Sequence, residues 1–318
     1  MTPALLWFRQ DLRLADNPAL HAAASRPLLP VFLLDDGAAG EWAYGGAQRW
    51  WLDASLRTLA ASLERLGAPL FIARGSAEEI IPALAAKIGA AEVQAGRLIE
   101  PWARARDARI AERLAAVGRK LVLHTSSLLA EPHRIRTKEG GAYGVYTPFS
   151  RALFALGDPP PPLPAPARLH RLPEAPAGLG VCDMGLLPGA PTPPWWQGFT
   201  RYWEPGEAGA ERRLTAFLAG AAPRYDAERN LPGIASTSGL SPHLRWGEVS
   251  PRQLWHAART AGVTGEAVWL KEILWREFAY HLLWHRPEMP EEPLQPAFAR
   301  FPFAPDARLL RAWRVGRT

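Results

Sequence analysis

The chain has 318 residues, 48% of them hydrophobic and 21% charged, a globular composition long enough for one large or two ordinary domains. Its single cysteine, Cys182, excludes a disulfide framework, and its apolar runs all fall short of membrane-spanning length. Charge is early at the N-terminus (Arg9, Asp11), unlike a signal peptide, and the net charge is +6 with only four lysines, so arginine dominates. These features point to a soluble intracellular protein, and arginine suits a phosphate-bearing partner, although a GC-rich genome gives the same bias.

In chain order, residues 1 to about 130 alternate short apolar runs (LLWF, PLLPVFLL, APLFIA, AAEVQAG, KLVLH) with amphipathic stretches such as GGAQRWWLDASLRTLAASLERLG. Strand and helix periods in turn predict βαβ units and a Rossmann-like, doubly wound parallel sheet. The first strand, Leu5 to Phe8, breaks into Arg9, Asp11, Arg13, Asp16 and Asn17. The stretch alone predicts a solvated loop laced by Arg–Asp pairs at the ligand edge of the sheet, with Asn17-Pro18 capping the first helix. No G-x-G-x-x-G follows, so a dinucleotide fingerprint is absent.

Residues 157–206 are crowded with proline and glycine and predict an extended connector. The aromatic stretch AYGVYTPFSRAL before them is expected to pack within the connector. Beyond, GEAGAERRLTAFLAG, SPRQLWHAARTAG and GEAVWLKEILWREFAYHLLWH carry helical periodicity, and Ser241-Pro242 and Ser250-Pro251 each resemble an N-cap followed by proline at the first helical position. Nine of the 14 tryptophans lie beyond residue 190.

Helical spacing puts Glu272, Trp275, Arg276 and Ala279 on one face, and an acid, an indole and a guanidinium are poor core material. Upstream, YDAERN and TSGLSPHLRWGEVSP set hydroxyls and backbone amides beside a capped helix start, an arrangement able to hold a phosphate. His281 and His285 have metal-ligand spacing without a third ligand, so no metal site is expected.

These motifs together resemble the photolyase/cryptochrome family, and within it the class I cyclobutane pyrimidine dimer branch. WFRQDLRLADNPAL is similar to its opening strand and loop, TSGLS to its flavin-phosphate motif and KEILWREF to its substrate helix, over essentially the whole chain. The resemblance implies an α/β antenna domain (1–130), a connector (131–205) and an all-α FAD-binding domain (206–318). By that likeness Tyr225, Thr237, Ser238, Gly239, Leu240, Ser241, Trp269 and Arg276 contact FAD. Arg229 lies near the DNA backbone, and Glu272 and Trp275 meet a flipped pyrimidine dimer. The implied activity is light-dependent splitting of the dimer by an electron from reduced FAD, and the implied partner is UV-damaged DNA, met by a monomer in the bacterial cytoplasm. The alternative is a cryptochrome-like blue-light photoreceptor or a non-catalytic remnant.

Three departures accompany the likeness. Trp102-Ala103 stands before Arg104-Ala105-Arg106-Asp107 where folate-binding members carry Asn-Glu, which weighs against folate and leaves a deazaflavin antenna open. Phe303 replaces the outermost relay tryptophan, with Trp313 as a substitute. The family continues beyond Val315–Thr318, so the helical domain is expected to be incomplete.

Overall fold

The five apolar runs of the first half form the five main strands of one parallel sheet. The structure, a computed structural model, describes residues 1–187, 195–262 and 265–317. Strands β1 (Ala4–Phe8), β2 (Pro27–Leu34), β3 (Phe71–Arg74), β4 (Glu92–Gly96) and β5 (Lys120–His124) stand in the order β3-β2-β1-β4-β5. Parallel neighbours cannot be joined by a hairpin, so the chain crosses over between strands, first outward from β1 and then back beside it to β4. That reversal places the topological switch point between the carboxyl ends of β1 and β4.

Burial follows the two-residue period of a strand. Leu6 and Phe8 join a core with Leu52, Leu56 and Leu59 of the helix Gly46–Arg65. Leu5 and Trp7 join another with Ile81 of Ala77–Lys87 and Ile110 of Pro101–Ala115. A strand covered on both faces must be apolar throughout, as β1 is.

The connector is more structured than its composition predicts. Tyr146–Phe154 is a helix, and its Phe149 and Leu153 enter a third core together with Trp255, Trp269, Leu270 and Leu274 of the helical half. Farther on, β6 (His170–Arg171) pairs with the start of β2, continuing the edge occupied by β3. The expected connector residues 188–194 and the terminal Thr318 lie outside the described residues.

The helical half contains Glu207–Ala219, Ser241–Trp246, Pro251–Ala261, the long Glu266–His285 and Ala307–Arg314. Ser250 caps Pro251–Ala261 as expected: its Oγ accepts from Gln253 N at 3.0 Å, and Gln253 Oε1 accepts from Ser250 N at 2.8 Å. Ser241 does not cap. Buried Leu240 takes that position, and Ser241 is already the first helical residue.

The Arg9–Asn17 loop also differs from expectation, because it is buried rather than solvated. The helical half packs on the carboxyl edge of the sheet, and every charge trapped there requires a partner. Arg13 donates to the carbonyls of Asp16 (2.6 Å), Ser126 (2.7 Å) and Gly247 (2.9 Å). Asp16, the one described non-glycine residue with positive φ (52°), accepts from Ser250 Oγ and from Arg252 at 2.5 Å. Glu207 accepts from the N–H groups of Leu14 and Ala15, each at 2.9 Å. Gly247 must be glycine here: its φ is +64°, and a Cβ would stand 2.1 Å from the Gln10 carbonyl oxygen. Asn17 caps the first helix as expected, accepting from Leu20 N at 3.0 Å.

Candidate functional site

The long helix divides its surface. Trp269, Leu270, Ile273, Leu274 and Phe278 face the core together with Glu277 and His281. One turn around, Glu272, Arg276 and Tyr280 follow one another at four-residue intervals and face a cleft of about 580 Å³. The opposite side of that cleft is built by Tyr225, the Thr237–Ser241 run, Leu244, Arg245 and Leu254. All eight residues expected to contact a flavin, and Glu272 besides, therefore line one cavity, although they are spread from position 225 to 276.

Its walls are partly aromatic. Tyr225 and Trp269 are buried and both pack against Phe217, with ring centroids 5.6 and 4.9 Å away. Burial pushes the Tyr225 phenol up, opposed by the Arg229 guanidinium. Its polar groups are held differently. Arg276 donates to the Ser127 carbonyl at 2.7 Å, lies 3.4 Å from the Glu277 carboxylate and rests 4.8 Å from the Tyr280 ring centre. Beneath it, burial raises Glu277 to about 7, against the pull of Arg276 and the Leu129 N–H, which donates at 2.9 Å.

Thr237, Ser238 and Ser241 contrast with these. Ser238 Oγ lies 3.5 Å from Leu240 N, and among the described residues their side chains make no other hydrogen bond within the protein. Hydroxyls without internal partners, two guanidiniums (Arg245 and Arg276) and an aromatic wall fit a ligand with an anionic and a flat aromatic part, in a cavity of cofactor size.

Two expected residues stand apart from the cleft lining. Arg229 reaches it through an ion pair with Glu272, which strengthens the hold of Arg229 on its proton. Trp275 does not line it. Its ring is stacked on Tyr146, with centroids 3.5 Å apart and planes 6° from parallel, and the residue is 48% exposed. Sequence reasoning missed Arg245, Tyr280 and Tyr146. The first two carried a signal, standing four residues after Ser241 and Arg276 on the same helical faces; the third lies 129 residues from its partner and carried none.

The other expected features can be placed as well. At the carboxyl edge of the sheet, the crevice lined by Trp7, Asp35, Tyr44 and Trp102 has about 30 Å³ of free space, room for about one water. Arg106 fills it, 4.7 Å from the Trp7 ring centre and 5.1 Å from that of Trp102. Arg104 turns toward the helical half and stacks 3.9 Å over Trp284. His281 and His285 have ring centroids 4.6 Å apart, and His281 Nε2 accepts from Tyr143 N at 3.1 Å. Phe303 and Trp313 are 77% and 68% exposed.

Comparison with known proteins bears on this arrangement. Residues 4–167 match the family model of DNA photolyase, and residues 269–318 match that of the FAD binding domain of DNA photolyase. The chain is 39% identical over 322 residues to a deoxyribodipyrimidine photo-lyase of Agrobacterium fabrum, covering 99% of this chain and 66% of that protein. It is 31% identical to Cryptochrome-1 of Arabidopsis thaliana, covering 99% of this chain and 48% of that one. A crystal structure of a bacterial class III photolyase from Agrobacterium tumefaciens superposes with a TM-score of 0.93 at 38% identity, covering 99% of this chain and 66% of that chain. The chain thus spans about two thirds of the length of its photolyase relatives, and that superposed structure carries class III in its name where the sequence suggested class I. A parallel sheet whose opening loop is buried under a helical half, matched from residue 4 to the last helix, makes this chain a member of the DNA photolyase family.

Proposed function

We propose that the chain serves light-dependent repair of cyclobutane pyrimidine dimers in DNA, with FAD held in the cleft. The observation that carries this reading is the convergence of Tyr225, Thr237–Ser241, Trp269, Glu272 and Arg276 on one cavity. When bound, FAD supplies the electron that splits the dimer and receives it back. The protein's own groups do the rest. Thr237, Ser238 and Ser241 offer hydroxyls to the anionic part of the cofactor, and Arg276, pinned to the Ser127 carbonyl, offers charge at a fixed place. Tyr225 and Trp269 exclude water from its flat part.

Photolyases are among the enzymes that take a nucleotide out of the stack, and Trp275, supported by Tyr146, presents an exposed indole for such a base. Glu272 and Arg229 act as a pair: the carboxylate orients the guanidinium, whose remaining N–H groups can meet a base carbonyl or a backbone phosphate. The proposed division is an antenna-type domain at 1–130, a connector at 131–205 and a flavin domain from 206, acting as a monomer on cytoplasmic DNA.

Protein reduced in the presence of FAD and illuminated with a dimer-containing oligothymidylate is expected to restore the ultraviolet absorbance of the bases, and dark controls are not. Glu272→Ala is expected to lower the repair yield per photon while leaving FAD binding near normal. Loss of FAD with unchanged repair per bound FAD would overturn the assignment of Glu272. The second reading, a blue-light photoreceptor, draws on the likeness to Cryptochrome-1. A light-driven spectral change without repair would favour it.

A further inference from the structure

Across the Thr237–Ser241 run from the cleft lies a second, more open cavity of about 700 Å³, and Thr237 and Ser238 line both. Arg213 lines this second cavity. Gly239 has φ +62°, and a Cβ there would meet Arg213 Nη1 at 2.5 Å, so the guanidinium is seated directly on the backbone of the run. Nη2 is tied to the Tyr202 carbonyl at 2.6 Å, and the guanidinium lies 4.5 Å over the Trp203 ring. Among the described residues no carboxylate lies within ion-pair distance of Arg213, whereas its neighbour Arg212 is bound to Glu204.

A guanidinium clamped by one nitrogen and one ring face, with its charge uncompensated and its other nitrogen at a loop of free hydroxyls, is an anion subsite. We infer that Arg213 is a binding residue for the phosphate bridge of the cofactor, reaching it across the gap that the absent side chain of Gly239 leaves open. This rests on the proposed function. It adds that the chain selects a dinucleotide by charge, through a residue on the helix Glu207–Ala219 and outside the cleft lining.

The test is equilibrium titration of the protein with FAD, read by flavin fluorescence at low and high salt, for wild type, Arg213→Met and Arg213→Lys. Loss of one charged contact is expected to weaken FAD binding in Arg213→Met about 10-fold at low salt and to flatten its salt dependence. Arg213→Lys, which keeps the charge and loses the fork, is expected to fall between the two. Thermal unfolding of each variant separates a binding effect from misfolding, and if Arg213→Met unfolds, Arg213→Lys alone still reads the loss of the fork. Wild-type affinity and salt slope in both variants would overturn the inference and leave the proposed function standing. Failure of the wild type to bind FAD at any concentration would overturn the proposed function, and the inference with it.

Discussion

The loop Arg9–Asn17 and the run Thr237–Ser241 are both polar segments placed where two parts of the chain meet, and they treat their polar groups in opposite ways. In the loop, Arg13, Asp16 and Asn17 are buried, and their bonds reach Ser126, Leu163, Gly247, Ser250 and Arg252. In the run, Thr237 and Ser241 are exposed and their hydroxyls have no partner among the described residues. Desolvated charge is stable only if satisfied inside the protein, so the loop is a structural joint. Polar groups left unsatisfied beside an apolar wall are addressed to something outside it. Charge density in a sequence does not distinguish the two cases, whereas the count of internal partners does.

The largest expected effect breaks the joint. Arg13→Met would leave the carbonyls of Asp16, Ser126 and Gly247 without their donor. The cost is expected to be about 3–5 kcal/mol in urea unfolding, as for other buried polar networks deprived of one member. A loss under about 1 kcal/mol would mean that water replaces the guanidinium and that the loop is not a closed joint.

A second pair of variants concerns the helix beneath the cleft, where Glu277 and His281 stand on the core face with shifts of opposite sign. Burial raises Glu277 to about 7, so the folded state holds a proton that the unfolded state releases near 4.5, and stability falls as pH rises through that window. Burial, with help from His285, lowers His281 to about 4, so the unfolded state takes up a proton that the folded state refuses, and stability rises with pH between about 4 and 6.5. Replacing one residue should uncover the other. Relative to wild type, Glu277→Gln should become more stable as pH rises from 4.5 to 7, by on the order of 2–3 kcal/mol across the window. His281→Gln, which can still accept from Tyr143 N, should move the other way. Urea midpoints taken at half-unit pH steps decide it, and parallel curves for all three proteins would show that neither group titrates as its burial requires.

The five main strands of the sheet were legible, because strands buried on both faces must be apolar runs and the intervening helices show their own period, whereas the short β6 in the proline-rich connector was not. The residues proposed to hold the cofactor were legible only through motif likeness, yet their convergence on one cavity is a consequence of folding that no spacing displays. The burial of Arg9–Asn17 was hidden because its distant partners lie from 87 to 236 residues away. Trp275 shows a subtler limit. Helix spacing correctly put it beside Glu272 and Arg276, but a stripe is wider than a cleft, and the distant Tyr146 holds the indole outside the lining. Trp275→Ala should therefore leave stability and FAD binding near wild type and weaken binding to dimer-containing DNA by about 1–3 kcal/mol, the usual worth of one stacked base. Equal affinity for damaged DNA would remove Trp275 from the proposed site.

The smallest expected effect is the sharpest form of the comparison, because it sets two nearly identical sequence signals against each other. Ser241-Pro242 and Ser250-Pro251 read alike as helix starts, but they belong to the two different regimes. Ser250 Oγ accepts from Gln253 N and donates to Asp16, serving cap and joint at once. Ser250→Ala should therefore cost about 1–2 kcal/mol, the upper part of the range for a lost cap. Ser241 stands one position inside its helix, with an exposed hydroxyl that bonds to nothing in the protein. Ser241→Ala should change stability by no more than about 0.5 kcal/mol, as for an ordinary surface substitution. Its effect should fall on FAD affinity instead, by a factor of about 3–10 for one neutral hydrogen bond. If Ser250→Ala weakened FAD binding as much as Ser241→Ala, or if Ser241→Ala were the more destabilising of the two, the rule that internal partners separate joint from cleft would fail at the place where the sequence offers no other way to tell them apart.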